Sequence, residues 1–159
     1  MEAILRRDTD PQELNILLFD HASAMPSWLD FDRLAAFLHE SLKPWNDTLQ
    51  DIGRGLEYAL SSGPERGGFV ALGMVGHEVV GAVVVLRTGM GGYVPRHLLL
   101  FVAVAPAFRG QGIGERLLRR AVDACEGDVA LHVEYDNPAR RLYERVGFRS
   151  DYAEMRYKR

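Results

Sequence analysis

Residues 108–118 read FRGQGIGERLL, and they join two very different stretches of the chain. Residues 98–104 before them are apolar at every position, which predicts a strand covered on both faces. Residues 111–125 carry apolar side chains at helical spacing. The first N–H groups of a helix have no partner within it, and the helix dipole is positive there. Because glycines at that point let an anion approach the backbone, the sequence predicts a phosphate or pyrophosphate site.

The glycines Gly110, Gly112 and Gly114 fit neither of two common nucleotide-binding motifs. Glu115 stands where the dinucleotide fingerprint needs its last glycine. The P-loop motif needs a Gly-Lys pair, and the chain contains none. Two interpretations remain: a different kind of anion site, and a glycine turn that serves only the close packing of a helix on a sheet.

Hydrophobic periodicity predicts one α/β domain over residues 1–159, with a mixed, partly antiparallel sheet. The predicted strands are 2–6, 69–74, 79–86, 98–104, 129–134 and 152–157. The predicted helices are 11–20, 29–42, 47–61, 111–125 and 138–145. Helices therefore dominate residues 1–66, whereas strands and two crossover helices fill residues 67–159.

The net charge of −3 argues against a nucleic-acid partner, because such proteins need a basic surface. Residues 1–66 hold 12 acidic and 6 basic side chains, and residues 67–159 hold 10 and 13. This asymmetry indicates either an acidic side that attracts a cationic ligand or scattered solvated charges.

We expect a cytoplasmic protein that does not enter a membrane. No apolar run approaches the length of a membrane span, and the first residues lack the pattern of a signal peptide. Cys125 is the only cysteine, so a disulfide framework and a thiolate metal cluster within one chain are excluded. No metal site is expected.

Residues 104–118 are similar to the coenzyme A signature of the GNAT superfamily of acyl-CoA-dependent N-acyltransferases. The signature [QR]-x-x-G-x-[GA] is met by Arg109, Gly112 and Gly114. Residues 131–148 resemble the second landmark of the family, which is a strand, an asparagine, a short helix containing Leu-Tyr, and Gly-Phe. The resemblance covers residues 67–159 well, and residues 1–66 only by the order of their elements.

The resemblance implies a mostly antiparallel twisted sheet of about six to seven strands, with helices on both faces and splayed central strands. It makes residues 1–66 the acceptor side and residues 67–159 the half that binds coenzyme A. The pyrophosphate would rest on the backbone N–H groups of Gly110, Gln111, Gly112, Ile113, Gly114 and Glu115. Arg109 would either help to neutralise phosphate charge or serve as a structural surface arginine.

The resemblance also implies that the pantetheine arm pairs with the strand before the glycines, where Phe101, Val102 and Val104 are the candidates. Asn137 is favoured over Asp136 for a further pantetheine contact, although the family places this asparagine one residue earlier. An asparagine before Pro138 is equally expected as a helix cap.

Tyr143 matches the tyrosine that the family uses as general acid to the departing thiolate, and its alternative role is to pack the short helix. Three residues are candidates for the general base: Glu134, His132 and His97. Cys125 lies on the apolar stripe of its helix and is predicted to be a core residue, because direct transfer in a ternary complex needs no nucleophilic cysteine.

The resemblance implies an N-acetyltransferase that moves acetyl from acetyl-CoA to a primary amine on a small molecule or a peptide. The alternative is a non-catalytic coenzyme A-binding sensor or partner-binding module with the same fold. The presence of Tyr143 favours the enzyme. The oligomeric state is left open between a monomer and a homodimer.

Overall fold

The computed structural model describes residues 13–45, 47–61 and 66–159. Its strands are β1 (Leu14–Phe19), β2 (Gly68–Val75), β3 (Glu78–Arg87), β4 (His97–Val104) and β5 (Val129–Leu131). Its α-helices are α1 (Phe31–Ser41), α2 (Leu49–Ala59), α3 (Ile113–Asp123) and α4 (Arg140–Val146). Short 3-10 turns cover Ala22–Ala24 and Pro106–Phe108. None of the helices in this part of the chain is long and apolar enough to cross a bilayer.

The five strands form one sheet in the order β1-β2-β3-β4-β5. The first three junctions are antiparallel, and a short turn connects β2 to β3 while a loop connects β3 to β4. The last junction is parallel, and α3 crosses over between its two strands. β4 and β5 pair only through His97–Leu99 and Val129–Leu131, so residues 100–104 and 132–134 continue without a shared ladder.

Helices cover both faces of the sheet. α1 and α2 bury Leu34, Leu38, Ile52 and Leu56 against one face. α3 buries Leu117, Leu118 and Ala121 against the other, where Tyr143 of α4 also packs. Full burial of a leucine contributes roughly 1.5–3 kcal/mol, so packing on the sheet fixes the position of α3.

β4 contains a bulge at Leu100. Val85 of β3 is paired with Leu99, but the next residue, Val84, is paired with Phe101. Leu99 therefore packs on the face of α3, whereas Phe101 packs on the face of α1 and α2. A Cβ on Gly55 of α2 would overlap the Leu100 side chain, so the glycine lets α2 lie close to the bulge.

The helices differ in how their N-termini are capped. Asp30 accepts a hydrogen bond from the Arg33 N–H at the start of α1 (2.8 Å). Thr48 accepts one from the Asp51 N–H at the start of α2 (3.1 Å). Within the described part of the chain no side chain caps α3, whose N-cap residue is Gly112. The first N–H groups of α3 are therefore left for another acceptor.

The mixed α/β class, the mostly antiparallel sheet and the helices on both faces are confirmed, with five strands within the described residues instead of six to seven. The predicted helix over 11–20 is wrong, because Leu14–Phe19 pair with β2 as a strand. The predicted strand over 152–157 is also wrong, since these residues form no ladder. The strand predicted over 129–134 ends at Leu131. The strand predicted over 2–6 lies outside the described residues.

Candidate functional site

A cleft of about 1260 Å³ opens where β4 and β5 diverge. One wall is formed by residues 100–104 of β4, beyond the pairing with β5, together with the loop that leads into α3. The other is formed by residues 131–135, the start of α4 and alternate residues of the last segment of the chain. A cleft of this size can hold a ligand larger than a typical drug molecule.

The glycines before α3 have two different physical roles. Gly110 and Gly112 have φ values of 77° and 79°, a left-handed conformation that other residues rarely adopt. A Cβ on Gly112 would meet nothing within 4 Å, so the space in front of the helix is open. A Cβ on Gly114 would lie 3.3 Å from the side chains of Leu142 and Val104, so this glycine serves close packing. The packing interpretation therefore applies to Gly114, and the open space at Gly112 is compatible with an anion.

Arg109 connects the glycine loop to two other elements. Its Nε donates to the Val104 carbonyl of β4 (3.1 Å), and its Nη2 donates to the Ser41 carbonyl at the end of α1 (2.6 Å). A cation beside the last carbonyls of a helix is favourable, because the helix dipole is negative there. Arg109 therefore has a structural role, and it also lines the cleft.

Tyr143 lies in the first two turns of α4, only 9% exposed, and lines the cleft. Its ring meets that of Phe148 edge to face, with 6.1 Å between centroids. Burial raises the pKa of Tyr143 to about 12, and the nearby Glu134 carboxylate acts in the same direction. The hydroxyl is consequently protonated throughout the physiological pH range.

Glu134 and His132 both line the cleft, but in the segment after β5 and not within a strand. Asn137 Nδ2 donates to Glu134 Oε2 (3.3 Å), and Asn137 Oδ1 accepts from the Ala139 N–H (2.9 Å). The Asn137 amide therefore connects the candidate base to the start of α4. Asn137 lines the cleft, whereas Asp136 is not among the lining residues.

His97 and Cys125 lie away from the cleft. His97 is at the start of β4, only 4% exposed, and is not among the lining residues, so its assignment as a candidate base is wrong. Cys125 is half-buried, and its Sγ donates to the Ala121 carbonyl (3.3 Å). Burial raises the pKa of this thiol to about 11, which leaves it un-ionised at neutral pH and agrees with a core role.

The remaining predicted residues are placed as follows. Phe101, Val102 and Val104 line the cleft. They lie on the half of β4 beyond its pairing with β5, where β3 pairs with one edge of the strand. Its other, outer edge has no strand partner within the described residues, and the Val104 carbonyl on this edge accepts a hydrogen bond from Arg109. Gly110, Ile113 and Glu115 line the cleft, while Gln111 does not. Glu115 also pairs with Arg119 one turn later (3.1 Å).

Sequence reasoning missed a group of lining residues: Ser41, Lys43, Tyr135, Tyr152, Glu154, Arg156 and Lys158. The last four lie at alternate positions, and the first three of them fall in the predicted strand 152–157. Their spacing of two was a readable signal for residues on one side of an extended chain. Ser41 and Lys43 gave no such signal, because they are brought to the cleft by the packing of α1.

Comparison with known proteins assigns this sequence to a family. Residues 25–148 match the sequence model of the Acetyltransferase (GNAT) family. N-alpha-acetyltransferase 30 of Xenopus laevis is 38% identical over 91 residues, which are 54% of this chain and 33% of that protein. N-alpha-acetyltransferase RimI of Mycobacterium tuberculosis is 45% identical over 60 residues, 36% of this chain and 38% of that protein.

This chain thus spans about a third of the length of the curated relatives it matches. Among solved structures, the ribosomal-protein-alanine N-acetyltransferase of Brucella melitensis biovar Abortus 2308 has a TM-score of 0.63 at 19% identity. The match covers 91% of this chain and 98% of that one, and it shows a shared fold. With a family match over most of its residues, a glycine loop before an uncapped helix and diverging strands, the chain belongs to the GNAT acetyltransferase family.

Proposed function

We propose that this protein transfers an acetyl group from acetyl-CoA to the α-amino group of a polypeptide. The observation that carries the proposal is one cleft that holds both an uncapped helix N-terminus and a buried, protonated tyrosine. The first can bind an anionic cofactor and the second can assist a leaving group. A direct transfer between two bound substrates needs both in the same cavity.

The residues present fit coenzyme A. The N–H groups at the start of α3 are uncapped, and the open space before Gly112 admits a phosphate. Apart from the Val104 carbonyl, which accepts a hydrogen bond from Arg109, the outer edge of β4 offers N–H and C=O groups to the amide-containing pantetheine arm. Acetyl-CoA, when bound, supplies the activated thioester.

Tyr143 would act on the departing sulfur. The amine nitrogen attacks the thioester carbonyl, a C–N bond forms, the C–S bond breaks, and the sulfur leaves as a thiolate that needs a proton. The pKa of Tyr143, about 12, lies well above the ordinary thiol value of about 8.5. The hydroxyl therefore stabilises the developing thiolate mainly by donating a hydrogen bond, and complete proton transfer to the sulfur requires a lower pKa of the phenol.

Glu134 is the general base in this proposal, with His132 as the alternative. Its carboxylate is close enough to Tyr143 to affect the pKa of the hydroxyl, and Asn137 holds it by a hydrogen bond. A base at this point lies beside the leaving sulfur, where the attacking amine must also arrive. It accepts the proton that the amine loses on attack.

An α-amino acceptor is supported by the relatives, two of which are named N-alpha-acetyltransferases. The chemistry agrees: an α-amino group has a pKa of about 7.7–8.0, whereas a lysine side chain has about 10.4. Roughly a tenth of the former is neutral at pH 7, against well under a thousandth of the latter, so a carboxylate is a sufficient base for the α-amino group. The exposed Tyr135 and Tyr152 at the cleft offer surfaces on which a peptide can lie.

The test is thiol release from acetyl-CoA with three acceptors: short peptides with a free N-terminus, the same peptides with a blocked N-terminus and a lysine side chain, and small amines. Turnover only with free N-termini supports the proposal. Preference for lysine or small amines would overturn the acceptor assignment. Coenzyme A binding by calorimetry without any turnover would instead support the non-catalytic module.

A further inference from the structure

The guanidinium of Arg109 joins two carbonyls that are far apart in the sequence. Its Nε donates to Val104 (3.1 Å) and its Nη2 donates to Ser41 (2.6 Å), a residue that is only 5% exposed. If α1 continued, the Trp45 N–H would donate to the Ser41 carbonyl, but it donates to the Leu42 carbonyl instead (2.9 Å). Arg109 therefore supplies a donor to a carbonyl at the end of α1.

The Ser41 contact lies where a further side of the cleft begins. Residues 42–45 follow directly, and all four line the cleft. Leu42 packs with the layer of α1 and α2, whereas Ile113 at the start of α3 packs in the layer on the other face of the sheet. Because the start of α3 is the proposed cofactor site, residues 42–45 lie on the side that is left for the amine. We call residues 42–45 the acceptor segment.

We propose that Arg109 is a positioning residue for the acceptor: it holds the acceptor segment against the glycine loop. Two of its three nitrogens donate to carbonyls of the protein, so the side chain is oriented toward the end of α1. A hydrogen bond from a charged donor is stronger than one between neutral groups, which suits a contact that fixes one element against another. The inference rests on the proposed acetyl transfer, but not on the identity of the amine.

The same contact couples the two substrates. Arg109 directly precedes Gly110, whose φ of 77° begins the glycine loop. A pyrophosphate held by this loop would restrict its backbone, and the Arg109 side chain passes that restriction to the end of α1. Once one substrate has ordered this contact, the other has less ordering left to do, so each favours the binding of the other.

The first experiment compares steady-state kinetics of Arg109→Gln with the wild type. Glutamine Nε2 is as many bonds from the backbone as arginine Nε, so it can still donate to Val104, but it has no atom that reaches Ser41. The KM for the acceptor should rise roughly tenfold, because a hydrogen bond from a charged group is lost on the acceptor side. The kcat, and the coenzyme A affinity measured by calorimetry, should change less than about threefold.

Arg120→Gln is the matched control for the loss of charge. Arg120 is exposed on α3 and is not among the residues that line the cleft. The variant removes the same charge from the same layer of the protein, so its kinetic constants and coenzyme A affinity should match those of the wild type.

The second experiment measures amide hydrogen exchange and needs no turnover. Without ligand, the Trp45 amide should exchange faster in Arg109→Gln than in Arg120→Gln, because the end of α1 is no longer held. Coenzyme A should slow exchange in both the glycine loop and the acceptor segment of the wild type. In Arg109→Gln the slowing should persist in the glycine loop and disappear from the acceptor segment.

The outcomes separate this inference from the proposed function. A wild type that binds coenzyme A without turnover would refute the acetyl transfer, and the exchange measurement would still decide the role of Arg109. Weaker coenzyme A binding by Arg109→Gln with an unchanged acceptor KM would overturn the inference in favour of a phosphate contact. Equal losses for both substrates with a lower melting temperature, or exchange in the acceptor segment that the substitution does not alter, would overturn it as well.

Discussion

β4 and β5 pair at one end of their junction and diverge at the other, and a titratable side chain is buried at each end. At the closed end, His97–Leu99 pair with Val129–Leu131, and His97 is enclosed. At the open end the strands diverge, and Tyr143 is buried at the edge of a cleft. Burial favours the neutral form of both: it lowers the pKa of His97 and raises that of Tyr143.

The two neutral side chains, His97 and Tyr143, differ in their surroundings. His97 Nδ1 is buried and has no hydrogen-bond partner among the residues that the structure describes. Tyr143 faces a cavity where a leaving sulfur can accept its hydrogen bond. We therefore expect protonation at the closed end to change stability, and loss of the proton donor at the open end to change turnover. Four predictions test this division.

The largest effect is expected for Tyr143→Phe. The substitution keeps the ring and its contact with Phe148 but removes the hydroxyl, so turnover should fall roughly 10²–10⁴-fold. The melting temperature and coenzyme A affinity should change little. Steady-state thiol release, calorimetric binding and a melting curve check the three quantities. Full activity would show that the open end uses a different proton donor.

The glycine loop is expected to show the next largest effect, on cofactor binding. Gly112 has φ 79°, where Asn and Asp are the least strained replacements, so Gly112→Asp and Gly112→Asn share their backbone cost and differ by one charge. The aspartate should weaken coenzyme A binding roughly tenfold or more relative to the asparagine, because its carboxylate faces the pyrophosphate. Equal affinities in calorimetry would contradict a pyrophosphate at this position.

At the closed end, His97→Leu should alter pH-dependent stability without altering turnover. Burial lowers the pKa of His97, and Arg87 and Arg96 lower it further. The unfolded chain therefore binds the proton more readily, and the wild type loses stability as the pH falls below about 6.5 toward the folded-state pKa. His97→Leu should remove this loss, a shift of a few degrees in melting temperature.

The exposed His77 provides the control for that measurement, since His77→Leu should leave the acid sensitivity in place. Melting curves from about pH 7 to about pH 5 compare the three proteins across the window below the unfolded pKa. Reduced turnover in His97→Leu at neutral pH, with the fold intact, would contradict the expectation that the closed end affects stability and not turnover.

The smallest effect concerns acceptor charge. Residues 1–66 carry a net charge of −6 and residues 67–159 carry +3. If the acidic side attracts a cationic acceptor, kcat/KM should fall a few-fold as salt rises, because exposed charges are screened over about 8–10 Å. An acidic amine such as glutamate should be a poor acceptor. Kinetics independent of salt would show that the charge asymmetry has no role at the open end.

Local signals predicted much of this molecule. The β2–β3 hairpin, α3 and the glycine loop before it are encoded within short windows of apolar spacing and turn residues. Tyr143 was identified through a motif and Glu134 as a carboxylate on the predicted strand before it, and both line the cleft. Their chemical roles remain predictions until activity is measured.

Long-range pairing explains what the sequence did not reveal. Leu14–Phe19 is mostly apolar and follows the dipeptide Asp10-Pro11, which is typical of a helix start. Pairing with β2, more than fifty residues away, makes it a strand. Residues 152–157 have the alternation of a strand and no ladder, because alternation does not specify a partner. The Arg109 contact with Ser41 spans 68 residues and leaves no local trace.

The bulge at Leu100 has a consequence for exchanging parts between relatives of this protein. LLLFVAV looks like seven interchangeable apolar positions, yet residues on either side of the bulge are out of phase by one. A chimera that keeps all seven residues but pairs them regularly, without the bulge, would turn Phe101 and Ala103 toward α3 and send Val102 and Val104 to the opposite layer. Successful grafts must therefore carry the whole of β4 together with the part of β3 that pairs around the bulge.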